Sequence, residues 1–86
     1  MSIIESILDL PVEHSKNVFG QFDEYIKKIE RTLKVTIIAR DSEVKVIGSE
    51  SSTRRATSVI HNLIELSLRG NEITQQNVDY ALSLSF

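Results

Sequence analysis

Two alternating segments in the middle of this chain decide most of what it can fold into. Val35-Thr36-Ile37-Ile38-Ala39-Arg40 and Glu43-Val44-Lys45-Val46-Ile47 are rich in β-branched residues, with the turn pair Asp41-Ser42 between them and Gly48 after them. Side chains that alternate with a period of two belong on a pleated strand, and two such runs joined by two turn residues make a β-hairpin. A hairpin buries its apolar face only against other elements, and with 86 residues one modest core is the limit. There is no room for a second domain or a deep catalytic cleft.

The flanking segments supply those elements. Ile3 to Leu10 is a short run rich in Ile and Leu that Pro11 terminates. It is read as a strand, while a helical reading with Ile3, Ile4, Ile7 and Leu8 on one face fits the same residues. Pro11 suits the first position of a helix over 11–19 that buries Val12, Val18 and Phe19, and Gly20 suits the position just past its end. From Asp23 to Leu33 a second helix places Phe22, Ile26, Ile29 and Leu33 on one arc, with Lys27, Arg31 and Lys34 opposite and Lys28 adjacent. Beyond the hairpin, Ser49 to Thr53 reads as a polar loop offering an N-cap to a long helix that ends at Arg69. Its stripe is Ala56, Val59, Ile60, Leu63, Ile64 and Leu66. Gly70-Asn71 stops that helix, and Thr74 caps a last one over 75–84, with Ile73 and Val78 spaced as a hydrophobic staple. The order predicts one α+β domain over residues 1–86, with helices on one face of a small antiparallel sheet.

Composition removes several classes of function. The chain has no cysteine, which excludes a disulfide framework, a thiolate metal site and a cysteine nucleophile. No apolar run approaches the ~20 residues that span a bilayer, and the first residues lack a signal-peptide pattern, so a soluble, cytoplasmic chain without a membrane partner is expected. The formal net charge of −2 is unevenly spread: residues 15–69 hold all ten Lys and Arg against seven acids, a centre of +3, while the flanks carry five acids and no Lys or Arg. A mildly acidic average therefore does not exclude a polyanionic partner.

Two short helices joined at a glycine, then a strand pair and a long helix, is the order of a type I KH module. Pro11 to Glu30, with Gly20 followed by Ile26 and Ile29, is similar to the KH stretch in which G-x-x-G precedes an I-x-x-I helix. A narrower resemblance rests on Phe19-Gly20, Asp23-Glu24, Ile26-Lys27, Ile29-Glu30, Ala39-Arg40, Val44 to Gly48 and Arg55-Ala56, with Arg69 to Thr74, Val78 and Ala81. Together these resemble the amino-terminal, KH-like domain of PhoH-like proteins. In that family the domain precedes a P-loop ATPase, and the proteins are grouped with phosphate-starvation and RNA-metabolism functions. The resemblance thus implies a domain excised from a longer ATP-binding protein, with ATP and Mg expected only in the ATPase part. Nothing in the chain matches G-x-x-x-x-G-K-[ST] or a nucleophile motif, so no catalysis and no cofactor are expected of these residues.

A KH loop works by letting backbone N–H groups approach nucleic-acid phosphates between two helix ends. Here the corresponding segment is Gly20-Gln21-Phe22-Asp23, with an aspartate where the second glycine would stand. A carboxylate repels phosphate, and the same residues are accounted for structurally, Gly20 ending one helix and Asp23 capping the next, with Phe22 in the core. The cationic face is the better nucleic-acid feature: Lys27, Lys28, Arg31 and Lys34, with Arg40, Lys45, Arg54 and Arg55 as extensions. A mixed, solvated helix face with Glu24–Lys28 and Glu30–Lys34 pairs is its plain alternative. His14 and His61 stand 47 positions apart without a ligand spacing, so no metal is expected. Two functions remain open: a module for single-stranded RNA, using Gly20, Gln21, Asp23, Lys27, Lys28, Arg31, Lys34 and Arg40, or an interaction module packing on its own ATPase domain or on neighbouring subunits.

Overall fold

The structure, a computed structural model, describes residues 2–86. Three strands, β1 (Ile3–Asp9), β2 (Thr36–Arg40) and β3 (Glu43–Ser49), form an antiparallel sheet in the order β1-β3-β2. Four α-helices follow the chain order anticipated above: α1 (Val12–Phe19), α2 (Glu24–Leu33), α3 (Glu50–Leu68) and α4 (Gln75–Leu84). This is the KH-like arrangement with an added C-terminal helix.

The ambiguous first segment is a strand. It pairs with β3 from Ile3↔Ser49 to Asp9↔Glu43, so Ile4, Ser6 and Leu8 turn toward the helices while Ile3, Glu5, Ile7 and Asp9 face solvent. The helical alternative lost because only the strand offers β3 a second ladder of hydrogen bonds on its free side. On the same inner face of the sheet, Val44 and Val46 are fully buried beneath α3. The core continues through Val18, Ile29, Ile60 and Leu63, each with no exposed surface. Complete burial of such a side chain is worth roughly 1.5–3 kcal/mol.

Three boundaries differ from expectation. Pro11 stands before α1 rather than inside it, with an extended backbone and its carbonyl accepting from His14 N at 2.9 Å. Val12, at the first helical position, therefore points into solvent, 62% exposed, instead of joining Val18 in the core. α3 starts directly after β3, because Ser49 Oγ accepts from Ser52 N at 3.3 Å and turns the supposed loop into the first helical turn. α2 begins at Glu24, one residue later than expected, with consequences for the loop before it. The last helix is capped as anticipated: Thr74 Oγ1 accepts from Asn77 N and Asn77 Oδ1 accepts from Thr74 N, with Ile73 and Val78 buried.

Candidate nucleic-acid interface

The loop between α1 and α2 is a tight, strained turn. Gly20 ends α1 at φ +81°, its N–H donating to the Lys16 carbonyl. A Cβ built there would lie 2.7 Å from Cδ2 of Tyr25, so both conformation and contact demand glycine. Phe22 and Asp23 follow at φ 56° and 58°. Asparagine and aspartate visit that left-handed region readily, but for phenylalanine it is an outlier that costs on the order of 1–3 kcal/mol.

Two expectations about this loop are corrected. Phe22 is 84% exposed, not core. The 100° projection that put it on the apolar arc does not apply, because Phe22 lies two residues before the first residue of α2, in left-handed backbone, and Tyr25 takes the buried place beside Ile26 and Ile29. Asp23 occupies the cap position of α2 without a side-chain cap hydrogen bond, since its left-handed backbone turns the carboxylate away from the first N–H groups.

What holds the loop lies in side chains distant in sequence. Tyr25 Oη donates to the Ile73 carbonyl at 3.2 Å. Asn17 Nδ2 donates to Ser67 Oγ at 2.9 Å and to the Asn71 carbonyl at 2.8 Å, while its Oδ1 accepts from Ile73 N at 2.8 Å. His14 Nδ1 lies 2.8 Å from Ser67 Oγ. The α1–α2 loop is thereby fastened to the α3–α4 junction. Nothing local in the sequence announces these contacts, which span about fifty residues or more apiece, 53 for His14–Ser67.

Beside the loop an open groove of about 850 Å³ is lined by Lys16, Gln21, Asp23, Glu24 and Glu72 among others. Three carboxylates against one ammonium make it unsuited to phosphate. The cations gather elsewhere. Lys27 and Arg31 are exposed on the outer face of α2 and Lys34 is exposed at its left-handed C-cap, and among the described residues none of the three forms an ion pair within 4.0 Å. Lys28 leaves this group: it pairs with Asp79 of α4, and its hydrogen bond, with that of Gln75, holds the Asp79 carboxyl below its usual value of 3.8. Glu30, read as a partner of Lys34, instead accepts from Ile37 N of β2 at 2.8 Å. Arg40 sits with Ile38 and Lys45 on the sheet face opposite the helices, away from the α2 cations. Arg54 pairs with Glu50 at 2.6 Å, Lys45 with Glu5 at 3.7 Å, and Arg55 lies 5.2 Å from the Phe86 ring centre. Of the residues expected at the site, the structure thus brings together Gly20, Gln21 and Asp23 in the loop and Lys27, Arg31 and Lys34 on the helix.

No family model matches the chain. It is 29% identical over 73 residues to the PhoH-like protein of Bacillus subtilis, covering 85% of this chain. To the PhoH-like protein of Mycobacterium tuberculosis it is 26% identical over 81 residues, covering 94% of this chain. The chain resembles PhoH-like proteins along nearly its whole length. It spans 23% of the length of each of these relatives. A crystal structure of a protein of unknown function from Aeropyrum pernix shares the fold, with a TM-score of 0.78 and 18% identity over 99% of this chain and 48% of that one. Asn17 and Tyr25 tie the α1–α2 region to Asn71 and Ile73. No helix among the described residues is long and apolar enough to cross a membrane.

Proposed function

We propose that this chain is the amino-terminal nucleic-acid-binding module of a PhoH-like ATPase, and that it holds single-stranded RNA by its backbone without reading sequence. The observation that carries the reading is the set of exposed, unpaired cations Lys27 and Arg31 along α2 and Lys34 at its C-cap, on the same element whose entry loop presents Phe22 to solvent. Cations without protein partners neutralise phosphates at little cost, and an exposed ring offers a stacking face to any base. The loop itself contributes shape rather than a phosphate clamp, because Asp23, Glu24 and Glu72 line its groove. ATP and Mg would be held by the ATPase part beyond this chain, in the cytoplasm, with this module presenting the strand to it.

Three phosphate contacts on a single strand give a slope of log affinity against log salt of about −2. Titrating a short single-stranded RNA into the chain at several salt concentrations should return that slope. The double variant Lys27→Glu/Arg31→Glu should lose at least about tenfold in affinity at low salt and flatten the slope. Absence of binding at roughly 50 mM salt, or an unchanged affinity in the double variant, contradicts the reading.

A further inference from the structure

We propose that the free edge of β1 is a self-association surface, on which a second copy of this chain adds its own β1 antiparallel about a two-fold axis through Ser6, making one continuous six-stranded sheet. This inference does not depend on RNA binding.

β1 is an edge strand, paired on one side with β3 only. Over seven residues it carries no proline and no lysine, the residues that commonly block strand addition at an edge. Beside it, between β1 and α3, lies an apolar cleft of about 490 Å³ whose walls include Ile4, Ser6, Leu8, Thr53, Thr57 and His61. Thr53 is 1% exposed, yet Thr53 Oγ1 and Thr57 Oγ1 lack hydrogen-bond partners among the described residues. Both oxygens are buried within the fold, so what remains for an incoming chain is the free edge of β1 and the cleft beside it, the setting in which an extended segment adds to a sheet.

The sequence of β1 selects the occupant. Two copies related by a two-fold axis normal to the sheet must oppose residues of the same face, so the axis passes through a residue. Centred on Ser6, the pairing opposes Ile4 to Leu8 inside the cleft, Glu5 to Ile7 and Ile3 to Asp9 outside it, and Ser6 to itself. Apolar meets apolar where burial matters, and no carboxylate faces another. Centring on Glu5 opposes Glu5 to itself, and centring on Ile7 opposes Glu5 to Asp9 twice. Only the Ser6 register therefore uses most of the strand without like charges facing each other, which is a cost in any cross-strand pair. Ile3 and Ile7, 73% and 53% exposed, gain cover from it.

The chain has no cysteine, so single cysteines report the register directly. Sedimentation across concentration should show a monomer–dimer equilibrium. Under mild oxidation Ser6→Cys should give a covalent dimer, since directly opposed residues lie within disulfide reach, whereas Ile7→Cys alone should not. Ile3→Glu, which faces Asp9 of the second copy, should shift the equilibrium at least about tenfold toward monomer, and Ile3→Lys should shift it toward dimer. Ile38→Glu, on β2, should leave it unchanged. A chain that stays monomeric up to about 1 mM overturns the proposal. So does cross-linking at position 7 rather than 6, or a loss of dimer in Ile38→Glu, which would indicate face-to-face packing of sheets instead.

Discussion

The sheet has two edges, and they are finished differently. At β2 the α2 helix lies alongside, and Glu30 reaches over to accept the outward Ile37 N–H at 2.8 Å. At β1 no side chain among the described residues takes the corresponding place; the strand borders an apolar cleft under α3. One helix therefore serves three directions at once. Ile26, Ile29 and Leu33 enter the core, Glu30 closes the β2 edge, and Lys27, Arg31 and Lys34 remain outward. An edge closed by a carboxylate is poorly disposed to accept another strand, while the helix beside it keeps a cationic face for a polyanion. The open edge lacks such a ridge and suits a strand.

The largest effect is expected at Gly20, where the chain enters the helix that closes the β2 edge. Gly20→Ala places a Cβ 2.7 Å from the Tyr25 ring in a conformation reserved for glycine, and should cost roughly 2–4 kcal/mol. Thermal unfolding should show a fall in Tm of about 10 °C or more for a domain this small. An unchanged Tm would mean that the loop is not fixed to α2 as described.

Next in size is the closure itself. Glu30→Ala leaves the Ile37 N–H without its acceptor and should lower stability by about 1–2 kcal/mol in denaturant titration. Glu30→Gln keeps an acceptor there and removes a negative charge from among the cations, so it should recover much of that stability and raise RNA affinity. If Glu30→Ala is as stable as the parent, the two edges are alike.

The smallest effect has the opposite sign. Phe22→Gly relieves a left-handed backbone and surrenders no burial, so it should stabilise the fold by about 1 kcal/mol. It should also weaken RNA binding, where one stacked base is worth roughly 1–3 kcal/mol. Destabilisation would instead return Phe22 to the core.

The element order and the apolar stripes of α2 and α3 were legible because period alone determines them: Ile26, Ile29, Leu33, Val59, Ile60 and Leu63 are all buried. The capping of α4 was legible because Thr74 stands just before the helix with Ile73 and Val78 at staple spacing around it, while the reciprocal bond from Asn77 was not read. Phe22 was misread because the helical projection was carried back beyond the start of the helix, across two residues, Phe22 and Asp23, whose backbone is left-handed. The partners of Lys28, Glu30 and Asn17 were out of reach, since Asp79, Ile37 and Ser67 become neighbours only once the helices pack. At the candidate site the chemistry of the cations could be read in advance, but which of them stay unpaired could not.

RNA binding along α2 can be followed through the backbone amide resonances of the isotopically labelled chain while a short single-stranded RNA is added at low salt. The expected shifts are concentrated between Gly20 and Lys34, grow with RNA and are reversed by added salt, with β1 and the facing side of α3 unmoved. Shifts centred on β1 and α3, or none at all, would contradict binding along α2.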